Sequence, residues 1–177
     1  GIDDDGNGFK DDVRGWNFYV ANNDASAKYL PPSKGRCKAR SGRYERHGTH
    51  VAATIGAVGN NRRGVVGITR RVHIMPVKIF GGPCGATKLS VVIQGIKYAA
   101  DNGAQVINMS LGGPMKSAIM RRQVEAAVKR GAVVAAAAGN NGDDNSVRPI
   151  YPASFLIPGV ISVAATDRKD SLAKFSN

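Results

Sequence analysis

Short apolar runs alternate with amphipathic segments along most of the chain, and this alternation constrains the fold more than any other feature. Apolar residues recur three and four positions apart over residues 88–100 and 117–130, which predicts two helices. Short apolar runs predict four strands, at residues 72–80, 104–110, 132–138 and 159–165, and Pro76 interrupts the first of them. Strands that alternate with helices of this length are typical of βαβ units and of a parallel sheet. The sequence therefore predicts an α/β fold.

The size of the chain predicts one domain, because 177 residues is an ordinary length for a single domain. The longest apolar run, residues 132–138, is much shorter than the roughly 20 residues of a membrane-spanning helix. No membrane span is therefore expected. The polar start and the absence of an initiating Met lead us to expect that the sequence is a piece of a longer chain.

The charge balance is unusual, because 25 basic residues against 13 acidic ones give a formal net charge of +12. Binding to nucleic acid, to an anionic surface or to an acidic partner could each explain such a charge. The basic residues are scattered as pairs, however, and aromatic residues make up only 6% of the chain, which leaves few side chains on which bases could stack. Nucleic-acid binding therefore stays an alternative that no motif supports.

The two cysteines, Cys37 and Cys84, leave the redox state open. A single disulfide and two free thiols both fit their positions. Neither residue belongs to a Cys-x-x-Cys pattern, so a cysteine-based metal or redox site is not expected.

Two histidines lie close together at the start of a predicted helix, residues 47–57, that is built from small side chains. His47 is expected at the first turn, with His50 on nearly the same side and the small residues packed tightly against neighbouring backbone. Zinc peptidases place two histidines four positions apart with a glutamate between them, and this pair is three apart without one. The pattern therefore argues against a zinc site. It leaves two alternatives open: one histidine acts as a general base, or both histidines are structural.

Residues directly after the predicted strands are candidates for function, because parallel sheets bind ligands at the carboxyl ends of their strands. Ser110 to Gly113 follow one strand, and such glycine-flanked backbone can pair with a peptide strand. Asn140 follows another, where its side-chain amide could donate to an oxyanion. Each segment taken alone also fits an ordinary turn.

Taken together and in order, these segments resemble the subtilisin-like serine peptidases. The segment HGTHVA that begins at His47 resembles the surroundings of that family's catalytic histidine, which implies that His47 is the general base. The segment AAGN that ends at Asn140 resembles the oxyanion segment, which implies that Asn140 is the amide donor.

Substrate-binding residues follow from the same resemblance. The segment NMSLGG that begins at Asn108 is similar to the strand that pairs with the substrate backbone, and Gly85 and Ala86 before the next helix are similar to the opposite wall of the cleft. The implied substrate-binding residues are Gly85, Ala86, Leu89, Ser110, Leu111 and Gly112.

The resemblance implies a three-layer αβα fold with a mostly parallel central sheet, truncated at both ends. The family uses an Asp-His-Ser triad and an acyl-enzyme, but no Asp-Thr/Ser-Gly strand precedes His47 and no Gly-Thr-Ser-Met-Ala segment follows Asn140. Residues 1–177 are therefore expected to be a partial peptidase domain, inactive on its own, which lacks the strand with the aspartate and the helix with the serine. A non-catalytic relative that binds peptides without cutting them is the alternative.

The resemblance also carries expectations about partners and location. Polypeptides would be the substrates, a prosegment of the same protein is a further possible partner, and the protein would be secreted or pass through the secretory pathway. Cleavage preference, the physiological substrate and the oligomeric state are left open.

An acidic loop near the start of the chain predicts a structural calcium site. Oxygen ligands at positions 1, 3, 5, 7 and 9 of a calcium loop would come from Asp3, Asp5, Asn7, the Phe9 carbonyl and Asp11. Arg14 occupies position 12, where an EF-hand has glutamate, so a further ligand such as Asp12 would be needed. No catalytic metal or organic cofactor is expected.

Overall fold

The computed structural model describes residues 1–30, 43–44, 46–81 and 85–177, which form two compact units, Gly1–Gly95 and Ile96–Asn177. In chain order the described elements are β1 (Trp16–Asn17), β2 (Tyr29–Leu30), β3 (Arg43–Tyr44), α1 (His47–Gly56), β4 (Val77–Lys78), α2 (Leu89–Asp101), β5 (Val106–Met109), α3 (Ala118–Lys129), β6 (Val133–Ala137) and β7 (Val160–Val163). The parallel pairs and the helices confirm the predicted α/β class.

The first unit contains two small sheets. Strands β1 and β4 pair in parallel, with Trp16 opposite Val77, and β2 and β3 pair antiparallel. The ring of Phe9 lies edge-on to Trp16 and Phe18, with centroid distances of 5.0 and 5.5 Å. Because edge-to-face aromatic pairs add to the energy of apolar burial, this cluster fixes the loop that carries the acidic residues onto β1.

Helix α1 begins at His47, as predicted, but its packing differs from the expectation. None of its residues is fully buried. Among the described residues, close backbone contact is found at its C-terminal end. There the Gly67 N–H donates to the Ala57 carbonyl at 2.9 Å, and a Cβ on Gly67 would lie 2.5 Å from the Gly56 Cα. The small residues therefore permit a tight approach at this end of the helix.

The predicted strand at residues 72–80 is mostly irregular, and only Val77–Lys78 forms β4. Proline lacks a backbone N–H and restricts the residue before it, so Pro76 prevents a continuous ladder through this run. Its carbonyl is still used, accepting the Trp16 N–H at 3.1 Å where β1 starts. The interruption predicted at Pro76 is therefore confirmed, but the strand is shorter than residues 72–80 because no ladder forms before the proline.

Helix α2 packs on β4 through a glycine. A Cβ at Gly95 would lie 2.9 Å from Ile79 and 3.0 Å from Val77, closer than side chains normally approach. The absence of a side chain at Gly95 therefore allows the helix to approach the strand, while Val92 on the same helix is buried.

The second unit is built on a three-stranded parallel sheet in the order β5-β6-β7. Asn108 pairs with Ala135 and Ala135 with Ile161, so the strands end at a common edge. Helix α3 begins after Ser117, whose hydroxyl accepts the Met120 N–H at 3.2 Å as an N-cap.

The two faces of this sheet differ in how far their side chains are buried. Ile107, Met109, Val134 and Ala136 point to one face and are buried, and α3 packs against β6 with its buried residues Met120, Val124 and Ala127. The opposite face carries exposed apolar side chains: Val106 at 64%, Val133 at 38%, Ile161 at 52% and Val163 at 50% exposure. A parallel sheet normally has both faces covered, so this face is unusual.

Candidate active site

His47 stands at the N-terminal end of α1 in the first unit. Arg46 occupies the N-cap position without a side-chain cap, and both His47 and His50 are exposed. The Arg46 carbonyl accepts the His50 N–H at 2.8 Å, which closes the first turn. His47 is therefore exposed to solvent at the first turn of the helix.

The other candidates in the first unit lie at the start of α2. Gly85 has a φ of 56°, in the left-handed region that favours glycine, and Ala86 forms an isolated antiparallel bridge with Gly81. Gly85 and Ala86 are exposed, and Leu89, the first residue of α2, is half-buried. The exposed backbone before the helix could pair with a peptide.

Ser110, Leu111 and Gly112 leave the end of β5 in the second unit. The Asn108 side-chain amide donates to the Ser110 hydroxyl at 3.0 Å, and a Cβ on Gly112 would lie 2.5 Å from the Ile150 side chain. One residue later, Gly113 and Tyr151 exchange two backbone hydrogen bonds of 3.1 and 2.8 Å. Contacts with residues 150–151 thus fix the position of this segment.

Asn140 lies in the turn that follows β6, and its side chain is exposed. This turn and the end of β5 meet at one concavity at the carboxyl edge of the sheet. Its lining residues are Asn108, Ser110, Ala135, Ala136, Ala137, Gly139, Asn140, Val163, Ala164 and Ala165. The structure therefore brings the predicted substrate residue Ser110 and the predicted amide donor Asn140 to the same concavity.

Residues that the sequence did not single out surround the Asn140 turn. The side chains of Asn145 and Asn177 hydrogen-bond each other at 3.1 Å, although they are 32 positions apart. They also bind the backbone of residues 138–141. No periodicity or spacing marks such residues, because their role arises from the meeting of two loops.

Two carboxylates near this turn, those of Asp143 and Asp144, have hydrogen-bonding or charged partners nearby in the sequence. The Asp144 carboxylate accepts hydrogen bonds from Ser146, first from its backbone N–H, and this lowers the pKa of Asp144. Asp143 forms an ion pair of 2.8 Å with Arg148. The hydrogen bonds from Ser146 thus favour the ionised form of the Asp144 carboxylate beside the turn.

The acidic loop gathers several of the predicted calcium ligands. Asp3 accepts the backbone N–H groups of Asn7 and Gly8 at 3.1 and 2.8 Å. The Asn7 side-chain nitrogen donates to Asp5 and Asp12, at 3.0 Å in both cases. Two carboxylates thus share one amide donor, an arrangement that a cation in the loop would also satisfy.

Asp11 is placed differently, because its side chain accepts the Ile2 N–H at 3.4 Å. Within residues 1–30, 46–81 and 85–177, no three His, Cys, Asp or Glu side chains form a group that could hold a metal ion. A site in this loop would therefore need oxygens from Asn7 and from backbone carbonyls such as that of Phe9.

Cys37 and Cys84 lie outside the described residues. None of the described helices is long and apolar enough to cross a membrane.

Comparison with known proteins gives the family context. The sequence matches the model of the "Subtilase family" over residues 6–177. It is 42% identical to Subtilisin DY of Bacillus licheniformis over 132 residues, which is 74% of this chain and 47% of that protein. It is 43% identical to Subtilisin E of Bacillus subtilis (strain 168) over 132 residues, which is 74% of this chain and 34% of that protein.

A similar match is found with Subtilisin Savinase of Lederbergia lenta, at 40% identity over 130 residues, 73% of this chain and 46% of that protein. The chain thus spans between a third and a half of the length of these relatives.

Proposed function

Since the chain belongs to the subtilase family, we propose that it is the central part of the catalytic domain of a subtilisin-like serine endopeptidase. Family membership agrees with the parallel strands and helices of the α/β fold. The complete enzyme would hydrolyse peptide bonds through an acyl-enzyme, with an Asp-His-Ser triad. Of that triad, this chain would supply His47, and the aspartate and serine would come from flanking segments.

Each candidate residue has a role in this proposal. His47, exposed at the start of α1, would accept the proton of the attacking serine and later return it to the leaving amine. Asn140 would donate its side-chain N–H to the oxyanion of the tetrahedral intermediate. Gly85, Ala86, Leu89, Ser110, Leu111 and Gly112 would hold the polypeptide substrate.

One observation carries the proposal most directly. Ser110 and Asn140 line the same concavity at the carboxyl edge of a parallel sheet, where α/β proteins bind ligands. A substrate strand beside residues 110–112 would place its carbonyl groups near an exposed amide donor. If both segments were ordinary turns without a binding role, Ser110 and Asn140 would not need to line the same concavity.

The remaining expectations join the proposal. We propose that the 177 residues alone are inactive, that the protein is secreted or passes through the secretory pathway, and that a prosegment can occupy the same cleft. In the acidic loop, Asp3, Asp5, Asn7, the Phe9 carbonyl and Asp11 would hold Ca²⁺, with Asp12 as a further ligand. The ion would stabilise the loop by neutralising its carboxylates.

The test uses the complete protein encoded by the reading frame that contains these residues, assayed on a chromogenic peptide. We expect His47→Ala to lower kcat by about 10⁶-fold and Asn140→Ala by about 10²–10³-fold, the magnitudes known for subtilisin itself. KM should change little in Asn140→Ala, because the oxyanion forms only after the substrate has bound.

His73→Ala is the matched control, because His73 is an exposed histidine of the same unit. Its kcat should stay within about twofold of the parent, as expected for a surface change away from the site. A complete protein that binds peptides but cleaves none, or His47→Ala with parental activity, would refute the proposal.

A further inference from the structure

Two asparagines hold the turn that carries Asn140 from both of its ends. The Asn177 side-chain oxygen accepts the Asn141 N–H at 2.8 Å, directly after Asn140. The Asn145 side-chain nitrogen donates to the Ala138 carbonyl at 2.9 Å, two residues before it. A hydrogen bond of 3.1 Å between Asn177 and Asn145 joins these two supports.

Asn177 also packs directly on the turn. Gly139 has a φ of +134°, and a Cβ there would lie 2.6 Å from the Asn177 side chain. The Asn177 amide thus occupies the space that any other residue at position 139 would need. This steric contact acts together with the hydrogen bonds and restricts the backbone conformation just before Asn140.

The segment that carries Asn177 is itself anchored to the sheet. Ser176 is only 3% exposed, and its hydroxyl accepts the Ala165 N–H at 2.8 Å, just beyond β7. The Phe175 carbonyl accepts the Gly142 N–H at 2.8 Å. Residues 175–177 therefore connect the end of β7 to the Asn140 turn.

Asn140 needs such support because it is exposed and follows the end of its strand. An oxyanion donor stabilises the transition state only if it is already held about 2.7–3.1 Å from the position of the oxyanion. A misplacement of about 1 Å can lower a rate by about 10²-fold. A free turn would let the amide of Asn140 move by such amounts.

We propose that Asn177 and Asn145 are positioning residues that orient Asn140 for transition-state stabilisation. This inference rests on the proposed function of Asn140. Neither asparagine lines the concavity that Ser110 and Asn140 share, and each acts through the backbone of residues 138–141. They would therefore act on kcat and leave substrate binding at Ser110 intact.

Single and double variants of the complete protein test this inference. We expect Asn177→Ala and Asn145→Ala each to lower kcat by about 10- to 100-fold with KM within about twofold. In an Asn140→Ala background the same changes should lower kcat by less than about twofold, because the donor they orient is gone. Asn102→Ala is the control, since its amide also donates to a backbone carbonyl, that of Tyr98 at 2.9 Å, in the same unit. Its kcat should stay near the parental value.

Hydrogen exchange supplies a readout that does not depend on activity. The Asn141 N–H should exchange at least about tenfold faster in Asn177→Ala, and Asn102→Ala should leave it unchanged. In Asn177→Asp a carboxylate oxygen can still accept this N–H, so its protection should be retained.

The outcomes separate the two proposals. If Asn140→Ala is impaired but Asn177→Ala and Asn145→Ala are not, only the positioning role fails. If the asparagine variants lose as much kcat in the Asn140→Ala background as in the parent, their effect is general destabilisation and the positioning role fails. If Asn140→Ala has parental kcat, the proposed role of Asn140 fails, and the positioning role fails with it.

Discussion

At the scale of single residues, the candidate site residues lie at the ends of helices and strands. His47 begins a helix, Ser110 follows one strand and Asn140 follows another. His47 and Asn140 are exposed, and Ser110 is half-buried. These places could be predicted from sequence, because glycine-rich turns after apolar strands are a local signal. Asn145 and Asn177 could not, since hydrogen bonds between distant loops leave no local pattern.

The acidic loop makes a prediction at this scale. If Ca²⁺ binds beside Asp5, adding it to the complete protein should raise stability by about 2.7 kcal/mol at 100 times its Kd, because it binds only the folded loop. Asp5→Asn should reduce this gain, measured as the change in thermal midpoint between Ca²⁺ and EDTA. Asp170→Asn, an exposed carboxylate of the second unit, should keep the full gain. Equal gains in the two variants would exclude the loop as a calcium site.

The helices and strands of the second unit match their sequence patterns closely. Residues 117–130 form α3 (Ala118–Lys129) with Ser117 as its cap, and residues 132–138 form β6. Periodicity succeeded here because the same apolar residues that define the pattern fill the space between helix and sheet. The apolar run at residues 72–80 predicted too long a strand, because Pro76 interrupts the ladder and apolar composition carries no information about hydrogen bonding.

The packing of α3 leads to a second prediction. Val124 is fully buried between helix and sheet, so Val124→Ala should lower the free energy of unfolding by about 2–3 kcal/mol through lost burial and a cavity. Ile119 lies on the same helix but is 66% exposed. Ile119→Ala should therefore change the free energy of unfolding by less than about 0.5 kcal/mol. Denaturant unfolding of the complete protein measures both. Similar losses in the two variants would contradict the described packing.

At the scale of the whole molecule, the sheet face with Val106, Val133, Ile161 and Val163 is open to solvent. The chain also spans less than half of the relatives it matches. Exposed apolar area on this scale destabilises a fold, because each square ångström left in water forgoes about 25 cal/mol of burial energy. Burial of this face against another part of the complete protein would therefore stabilise the second unit.

The open face predicts the behaviour of the isolated chain. We expect residues 1–177 alone to bind the dye ANS strongly and to unfold over a broad temperature range without a sharp transition. The complete protein should bind little dye and unfold cooperatively. A sharp calorimetric transition of the isolated chain with no dye binding would show that the open face needs no further cover.

The sequence by itself determined the α/β class, the family and the local positions of His47, Ser110 and Asn140. The fold class follows because strand and helix periods, and the turns between them, depend on neighbouring residues. The family and the three positions follow from the resemblance of the segments HGTHVA, NMSLGG and AAGN to known motifs. Only the tertiary structure decided that Ser110 and Asn140 share a concavity and that Asn177 packs on Gly139. Those contacts join residues far apart in the chain, so they depend on how the elements pack and not on any local pattern.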